Sequence, residues 1–376
     1  MPVPAHHSCP SAEACTVTPL ESPEALAEIA PDWANLCEAA RNPNPFASPE
    51  WFFAWRQALF AEHSGNRIHA FALRERGRLT GVLPLVQGRY ARFGLNLRRL
   101  EFVCNFADYN ELLVGGVPRQ FESVLRHLAR TGREWDMLHL RGLRDETLAA
   151  WLPQAASAAG LCCRIVPEEQ RCPFLAIDGP AEKLMERLPA SARANLRRRA
   201  SQARAAGLTV RIVREPHKEP LLLEKMIAVE EMKHRDKSTP RFIGRYPAAF
   251  HALFQKMGPR GWLYAALLEK DSALVGYQLG FLSGARLWDY TKAYDPAYAR
   301  LAPGTLLMPP LLDFAYESGL DEYDFLCGEE PYKKLWSTGY HSRFQLLVWP
   351  AHLGAKMRAF LYNDLRPALR RMVRRG

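Results

Sequence analysis

Two stretches of the chain repeat the same order of patterns, and that repetition limits the fold more than any other feature. Residues 69–87 (HAFALRERGRLTGVLPLVQ) read as strand, tight turn at Glu75–Gly77 and strand; residues 263–282 (LYAALLEKDSALVGYQLGFL) read as strand, turn at Glu269–Asp271 and strand. Each places a glycine after its turn, Gly81 and Gly276. Further on, Phe121–Thr131 has a helical pattern before the strand-like WDMLHL (135–140), and Thr305–Ser318 has another before YDFLCG (323–328). Each copy is hairpin, further strands, helix, strand. The expectation is a mixed α/β fold made of two similar units, joined by the polar, Pro-bearing segment 167–180.

Around that skeleton helices are expected near Pro49–Phe60, Glu146–Ala159, Ala190–Ala206, Glu219–Lys233, Pro247–Met257 and Gly354–Val373. Gly207 stands at a helix C-cap before the alternation Leu208, Val210, Ile212, and Gly339 precedes a last strand, Phe344–Trp349. The chain of 376 residues, 48% apolar, has room for two cores. The domain reading is a loose tail over 1–19, a first unit over 20–170, a second over 171–353 and a terminal helix over 354–376.

A formal net charge of +10 invites a nucleic-acid or membrane reading, so its placement decides. Ala190–Gly207 holds five arginines (Arg193, Arg197, Arg198, Arg199, Arg204) and no acid, and Lys356–Gly376 holds seven basic residues against Asp364. Those segments account for the excess and leave the rest near neutral, without a general nucleic-acid signature. The first twenty residues lack the apolar run of a secretory signal, and Thr147–Cys163, the longest uncharged stretch, is broken by Pro153, Gln154 and Ser157. A cytoplasmic protein without a transmembrane helix is expected.

The eight cysteines form no C-x-x-C pair, and the eleven histidines no H-E-x-x-H, so neither zinc nor a disulfide framework is expected. Phosphate-loop, dinucleotide and nucleophile-elbow motifs are absent too. What remains is Leu287–Trp336. In LWDYTKAYD (287–295) alternation puts Trp288, Tyr290, Lys292 and Tyr294 on one strand face. In LAPGTLLMPPLL (301–312), Pro303 suits a first helical turn, Gly304 lets a ligand approach the backbone, and the unpaired N–H groups of a helix start can hold phosphate. In YDFLCGEEPYKKLWSTGYHS (323–342), Asp324, Glu329, Tyr332 and Lys333 crowd a short loop after a strand, a set able to bind a substrate and move its protons.

RANLRRRASQARAAG (193–207), the hairpin at 263–282, YDPAYARLAPGTLL (294–307) and YDFLCGEEPYKKLW (323–336) together resemble the BioF2-like, or CelD-type, acetyltransferase branch of the GNAT superfamily, related to the FemAB/FemX aminoacyltransferases. PFASPEWFFAW (45–55), GVLPL (81–85), DYNELLV (108–114) and WDMLHL (135–140) extend the likeness over roughly 20–350. It implies a tandem GNAT fold, two similar subdomains in one compact body, and transfer of an acyl group to an amine or hydroxyl. By the resemblance, acyl-CoA pyrophosphate would sit on Arg300, Ala302, Pro303, Gly304 and Thr305, although Pro303 stands where the family's first loop glycine would be. It also implies Asp324 or Glu329 as base or orienter and Tyr332 and Lys333 as donors to developing negative charge. Asp108, Tyr109, Tyr290, Lys292, Tyr294, Asp295 and Trp336 are expected on the acceptor side, with no metal.

The donor stays open between acetyl-CoA or another acyl-CoA and, as in Fem-type relatives, aminoacyl-tRNA with the arginine-rich helix on its phosphates. The acceptor expected is an envelope or exopolysaccharide precursor. A non-catalytic scaffold of polysaccharide assembly is the third reading. In it the C-terminal helix, with Met357, Phe360, Leu361, Leu365, Leu369 and Met372 near one face among arginines, would touch an anionic membrane surface.

Overall fold

The computed structural model describes residues 15–40, 43–62, 65–92, 95–112, 114–115, 118–144, 147–233 and 242–360. The first half runs β1 (Thr16–Leu20), α1 (Pro23–Ala39), α2 (Pro49–Glu62), β2 (Arg67–Ile68), β3 (Ala70–Glu75), β4 (Arg78–Leu83), β5 (Leu85–Arg92), β6 (Leu95–Phe102), α3 (Pro118–Arg130), β7 (Met137–Leu143), α4 (Leu148–Ala158) and β8 (Leu161–Pro167). The second continues β9 (Cys172–Ala176), α5 (Ala181–Met185), α6 (Ala190–Ala205), β10 (Leu208–Val213), α7 (Leu222–Lys233), α8 (Pro247–Met257), β11 (Leu263–Lys270), β12 (Ala273–Ser283), β13 (Arg286–Tyr294), α9 (Pro303–Leu306), α10 (Met308–Glu317), β14 (Glu322–Asp324), α11 (Pro331–Trp336) and β15 (Gly339–His341). β16 (Phe344–Pro350) and α12 (Leu353–Phe360) follow.

Both expected hairpins form, β3 with β4 and β11 with β12. Their turns each place two successive residues at positive φ, Arg76–Gly77 and Asp271–Ser272, a backbone whose twist matches that of paired strands. In each half a helix then leads to a parallel partner: β6 through α3 to β7, and β13 through α9 and α10 to β14. The sheets are ordered β1-β3-β4, β2-β5-β6-β7-β16-β8 and β10-β11-β12-β13-β14-β9-β15. One strand of the second half therefore crosses to the sheet of the first. β9 slots between β14 and β15, and β16, read in sequence as the end of the second unit, pairs with β7 and β8 of the first.

A large buried cluster fuses the halves. Trp33, Trp51 and Trp55 of α1 and α2 pack with Met226, Phe250, Tyr277, Phe281 and Trp288 of the second half. The opposite face of the second sheet is covered by Leu184, Leu311, Leu312 and Trp336, and the first sheet carries its own core around Phe121, Leu125 and Trp135. Most expected helices stand within a few residues of their reading, but β1 and α1 were not anticipated. The loose tail read over 1–19 ends in β1, which pairs with β3, and residues 1–14 lie outside the described residues. Ser22 starts α1 by accepting the Ala25 N–H at 3.2 Å, with Pro23 in the first turn. Of the expected terminal helix α12 is described; 361–376, with most of its basic face, lies outside. Among the described residues no helix is long and apolar enough to cross a membrane.

Candidate active site

The parallel pairing of β13 with β14 lasts three residues, Arg286↔Glu322, Leu287↔Tyr323 and Trp288↔Asp324. Beyond it β13 runs on to Tyr294 while the chain after Asp324 turns away through Leu326 (φ 56°) and Gly328 (φ 131°). The ladder between the two strands therefore ends at Trp288 and Asp324, a break here termed the notch. The φ of Gly328 is one that residues with a Cβ rarely adopt, and a Cβ would also displace the ends of the Glu330 and Lys333 side chains. Asp324 ties the turn down, its Oδ1 accepting the Leu326 N–H at 2.8 Å and the Tyr109 hydroxyl at 3.2 Å. It is fully buried, Oδ2 has no hydrogen-bond partner, and burial pushes the carboxyl up to about 6 against the pull of His341. Asp324 thus acts from inside the protein, as a brace between halves 215 residues apart in sequence.

Lys333, on α11, projects into the notch with 6% of its surface exposed. Its ammonium donates to the Cys327 carbonyl at 2.6 Å and pairs with Glu330 at 3.2 Å. The Cys327 N–H donates to Asp108 Oδ2 at 3.1 Å, so the first half supplies a carboxylate to the same loop. Burial raises the Asp108 carboxyl, opposed by that hydrogen bond and by the charges of Arg343 and Lys333. Gly142 makes room for the Asp108 loop: its φ is 72°, and a Cβ would meet the Asp108 carbonyl at 2.9 Å. That carbonyl also accepts from Arg343 at 2.7 Å, and Arg343 pairs with the buried Glu168 at 2.7 Å. A cavity of about 130 Å³ lies at this junction, lined by Cys104, Asp108, His139, Arg141, Glu168 and Arg343. Sulfur atoms of Cys327 and Cys172 approach to 2.8 Å; burial and their mutual contact hold the Cys327 thiol far above its ordinary range.

The expected single face of β13 is split. The β12–β13 register shifts between Leu279 and Gly280, so Gly280 pairs with Asp289 and Leu279 with Thr291, leaving Tyr290 as the extra residue of a bulge. Gly280 is indispensable, because a Cβ would sit 2.0 Å from the Trp288 carbonyl. Trp288 and Tyr290 therefore face the cluster between the halves, where Tyr290 packs against Phe46, Trp51 and Phe281. The Tyr290 hydroxyl is buried without a partner, and burial, Cys104 and Asp108 raise it well above its usual range. Lys292 turns the other way, to Asp289 at 2.6 Å and over the Tyr332 ring at 4.3 Å. Tyr294 ends β13 opposite Gly276, and Asp295 caps the following turn by accepting the Ala297 N–H.

That turn, 296–301, leads into the expected donor loop. Ala302, at φ 50° and ψ 64°, takes the left-handed conformation and its carbonyl accepts both the N–H and the hydroxyl of Thr305. Pro303 opens α9 and is buried, Arg300 is exposed, and a Cβ on Gly304 would meet nothing within 4 Å. The loop lies beside β12 and β13 and under the arginine-rich α6. The Ala302 and Thr305 N–H groups are paired with the Ala299 and Ala302 carbonyls, the loop has space beside Gly304, and no acid lies within 300–306.

Two expected site residues stand elsewhere. Trp336 is 3% exposed and belongs to the core under α10, because α11 turns its apolar face inward. Glu329 is exposed and pairs with the exposed Lys334 at 2.9 Å, outside the Asp108–Lys333 group. Sequence reading missed Arg343, Glu168, Cys172 and His341, which lie on or beside β8, β9, β15 and β16, meet only in the fold and carry no spacing signal. Glu322, Asp324 and His341 bring ligand-type atoms within 4.8 Å of one another. Glu322 already pairs with Arg286 at 2.9 Å and His341 at 3.0 Å; burial would raise its carboxyl, but these partners hold it below the ordinary range. Glu322, Arg286 and His341 thus form an ion-pair network, beside which Asp324 keeps Oδ2 without a partner among the described residues.

The comparisons with known proteins place this mixed α/β architecture. Residues 190–334 match the acetyltransferase (GNAT) domain family, so the second half contains a GNAT-type acetyltransferase domain. FemX is similar in structure, with a TM-score of 0.58 at 12% identity over 84% of this chain and 95% of that one. A conserved protein of unknown function from Bacteroides thetaiotaomicron VPI-5482 gives 0.57 at 10% identity, over 85% and 96%. The C-terminal domain of a putative lysylphosphatidylglycerol synthetase from Agrobacterium fabrum gives 0.52 at 11%, over 89% and 95%. At these identities the likeness is one of fold. No curated protein matches the chain.

Proposed function

We propose that the chain transfers an acyl group from acyl-CoA to an amine or hydroxyl of an envelope or exopolysaccharide precursor at the notch between β13 and β14. The reading rests above all on the convergence of Asp108 from the first half with Cys327 and Lys333 from the second where those strands part. The donor's pyrophosphate lies along Ala302–Thr305, where there is space beside Gly304 and no acid, with exposed Arg300 nearby. Its thioester carbonyl follows β13 past Trp288, where no strand covers the edge on the β14 side.

The acceptor enters from the junction of the halves. Its nitrogen or oxygen attacks the thioester carbon, the C–S bond breaks, the nucleophile's proton passes to Asp108 and CoA leaves as thiolate. Asp108 suits the base because burial lifts its carboxyl toward the working range. The Lys333 ammonium, fixed by the Cys327 carbonyl, supports the negative charge that develops. Asp324 holds the turn that presents both, and no covalent enzyme intermediate is needed. The test is thiol release from acetyl-CoA across a panel of amino sugars and polysaccharide precursors. Asp108→Asn and Lys333→Ala are expected to lower turnover on the order of 10²-fold or more with melting temperature retained; unchanged turnover in both removes the assignment. Aminoacyl-tRNA is the alternative donor, favoured by the exposed arginines of α6, and RNase-sensitive transfer independent of acyl-CoA would select it.

A further inference from the structure

A second cavity lies in the first half, away from the notch. It measures about 610 Å³ and is lined by Arg56, Arg67, Arg89 and Arg98 with Phe60 and Ile68. Its charge comes from strand register. Arg67 pairs with Gln87 across β2 and β5, and Arg89 pairs directly with Arg98 across β5 and β6, so three arginines share one face of three adjacent strands. Like charges directly opposite one another on a sheet are unfavourable unless something anionic lies between them. Asp136 answers Arg98 alone, at 3.2 and 3.3 Å. Among the described residues no ion pair reaches Arg56, Arg67 or Arg89. Glu21 and Glu134 also line the cavity, Glu134 through a carbonyl that accepts from Gln87, and burial lowers the His69 imidazole. Arg56 lies over the Phe60 ring at 5.8 Å, giving the cavity an apolar wall beside its guanidinium groups.

We infer that this cavity binds a phosphorylated small organic molecule, its phosphate held in the forks of Arg56, Arg67 and Arg89 and its organic part against Phe60 and Ile68. The volume is that of a small-ligand pocket. The site is separate from the transfer notch: along β6, Arg98 precedes Phe102 at the small cavity by four residues, roughly 13 Å of strand. The test is calorimetric titration of the full chain with inorganic pyrophosphate and with uridine diphosphate, at low and moderate salt. Both are expected to bind saturably and more weakly as salt rises, the nucleotide more tightly. Arg67→Ala with Arg89→Ala, both exposed in the fold, is expected to weaken binding at least tenfold with the circular dichroism spectrum unchanged, as is Arg56→Met, which keeps the stem on Phe60. Gly304→Leu in the donor loop is expected to leave it intact. The inference is overturned by absence of saturable binding, by binding insensitive to the arginine variants or by loss in Gly304→Leu; equal affinity for the two probes overturns the organic part.

Discussion

Asp324 offers a prediction whose size follows from its surroundings. Its carboxyl is wholly buried, with one oxygen bonded to Leu326 and Tyr109 and the other unmet, and its native pKa lies at about 6. In the unfolded chain the group ionises near its ordinary value of roughly 4. Between those values the native state binds the proton and the unfolded state does not, so this group's contribution to stability increases as pH falls from 6 to 4. At pH 7 and above it costs about 3 kcal/mol, two pKa units at ~1.4 kcal/mol each. Asp324→Asn keeps an oxygen for Leu326 and Tyr109 and does not titrate. Urea unfolding of both proteins, followed by tryptophan fluorescence between pH 4 and 8, separates this group from other titrations. The stability of the Asn variant relative to wild type should be about 2 kcal/mol higher at pH 7.5 than at pH 4, with the change centred between 4 and 6. A pH-independent difference, or one of opposite sign, would refute the reasoning.

Other expectations concern the frame around the site. Trp336→Ala should destabilise by about 3–5 kcal/mol through loss of core volume while leaving the KM for acyl-CoA unchanged; a donor-binding defect without destabilisation would return Trp336 to the site. Gly280→Ala forces a methyl onto the Trp288 carbonyl and should cost at least ~3 kcal/mol, read as a fall in urea midpoint; a neutral effect would mean that the bulge is absent. Truncation after Arg343 removes β16 and should expose the β7 and β8 edges and unfold the first half with the second. A cooperative, unshifted transition would show that the crossing strand is dispensable.

The repeated hairpins were legible because alternation, a polar two-residue turn and a following glycine agree at 75–77 and 269–272. The destination of β16 was not, because an apolar strand carries no address: Leu346 and Val348 fit either sheet, and chain order favoured the wrong one. The faces of β13 were misread at Tyr290 for a similar reason, since a bulge is set by the Gly280 opposite and leaves no mark in β13. Ser22–Pro23 was a readable helix start that was passed over. Lys333 and Asp108 were each singled out from sequence, but their meeting through Cys327 needed the fold. Trp336 looked functional because it adjoins Lys333 and Lys334, yet the turn of α11 sends it to the core while Lys333 faces the notch.

The central claim is that the second half holds acyl-CoA on the backbone at Gly304. Calorimetric titration of acetyl-CoA into the wild type and Gly304→Leu tests it most directly, since a Cβ there meets nothing within 4 Å. The account predicts saturable one-to-one binding in the wild type and its loss in the variant with the melting temperature unchanged; binding absent from the wild type, or equally strong in the variant, would contradict it.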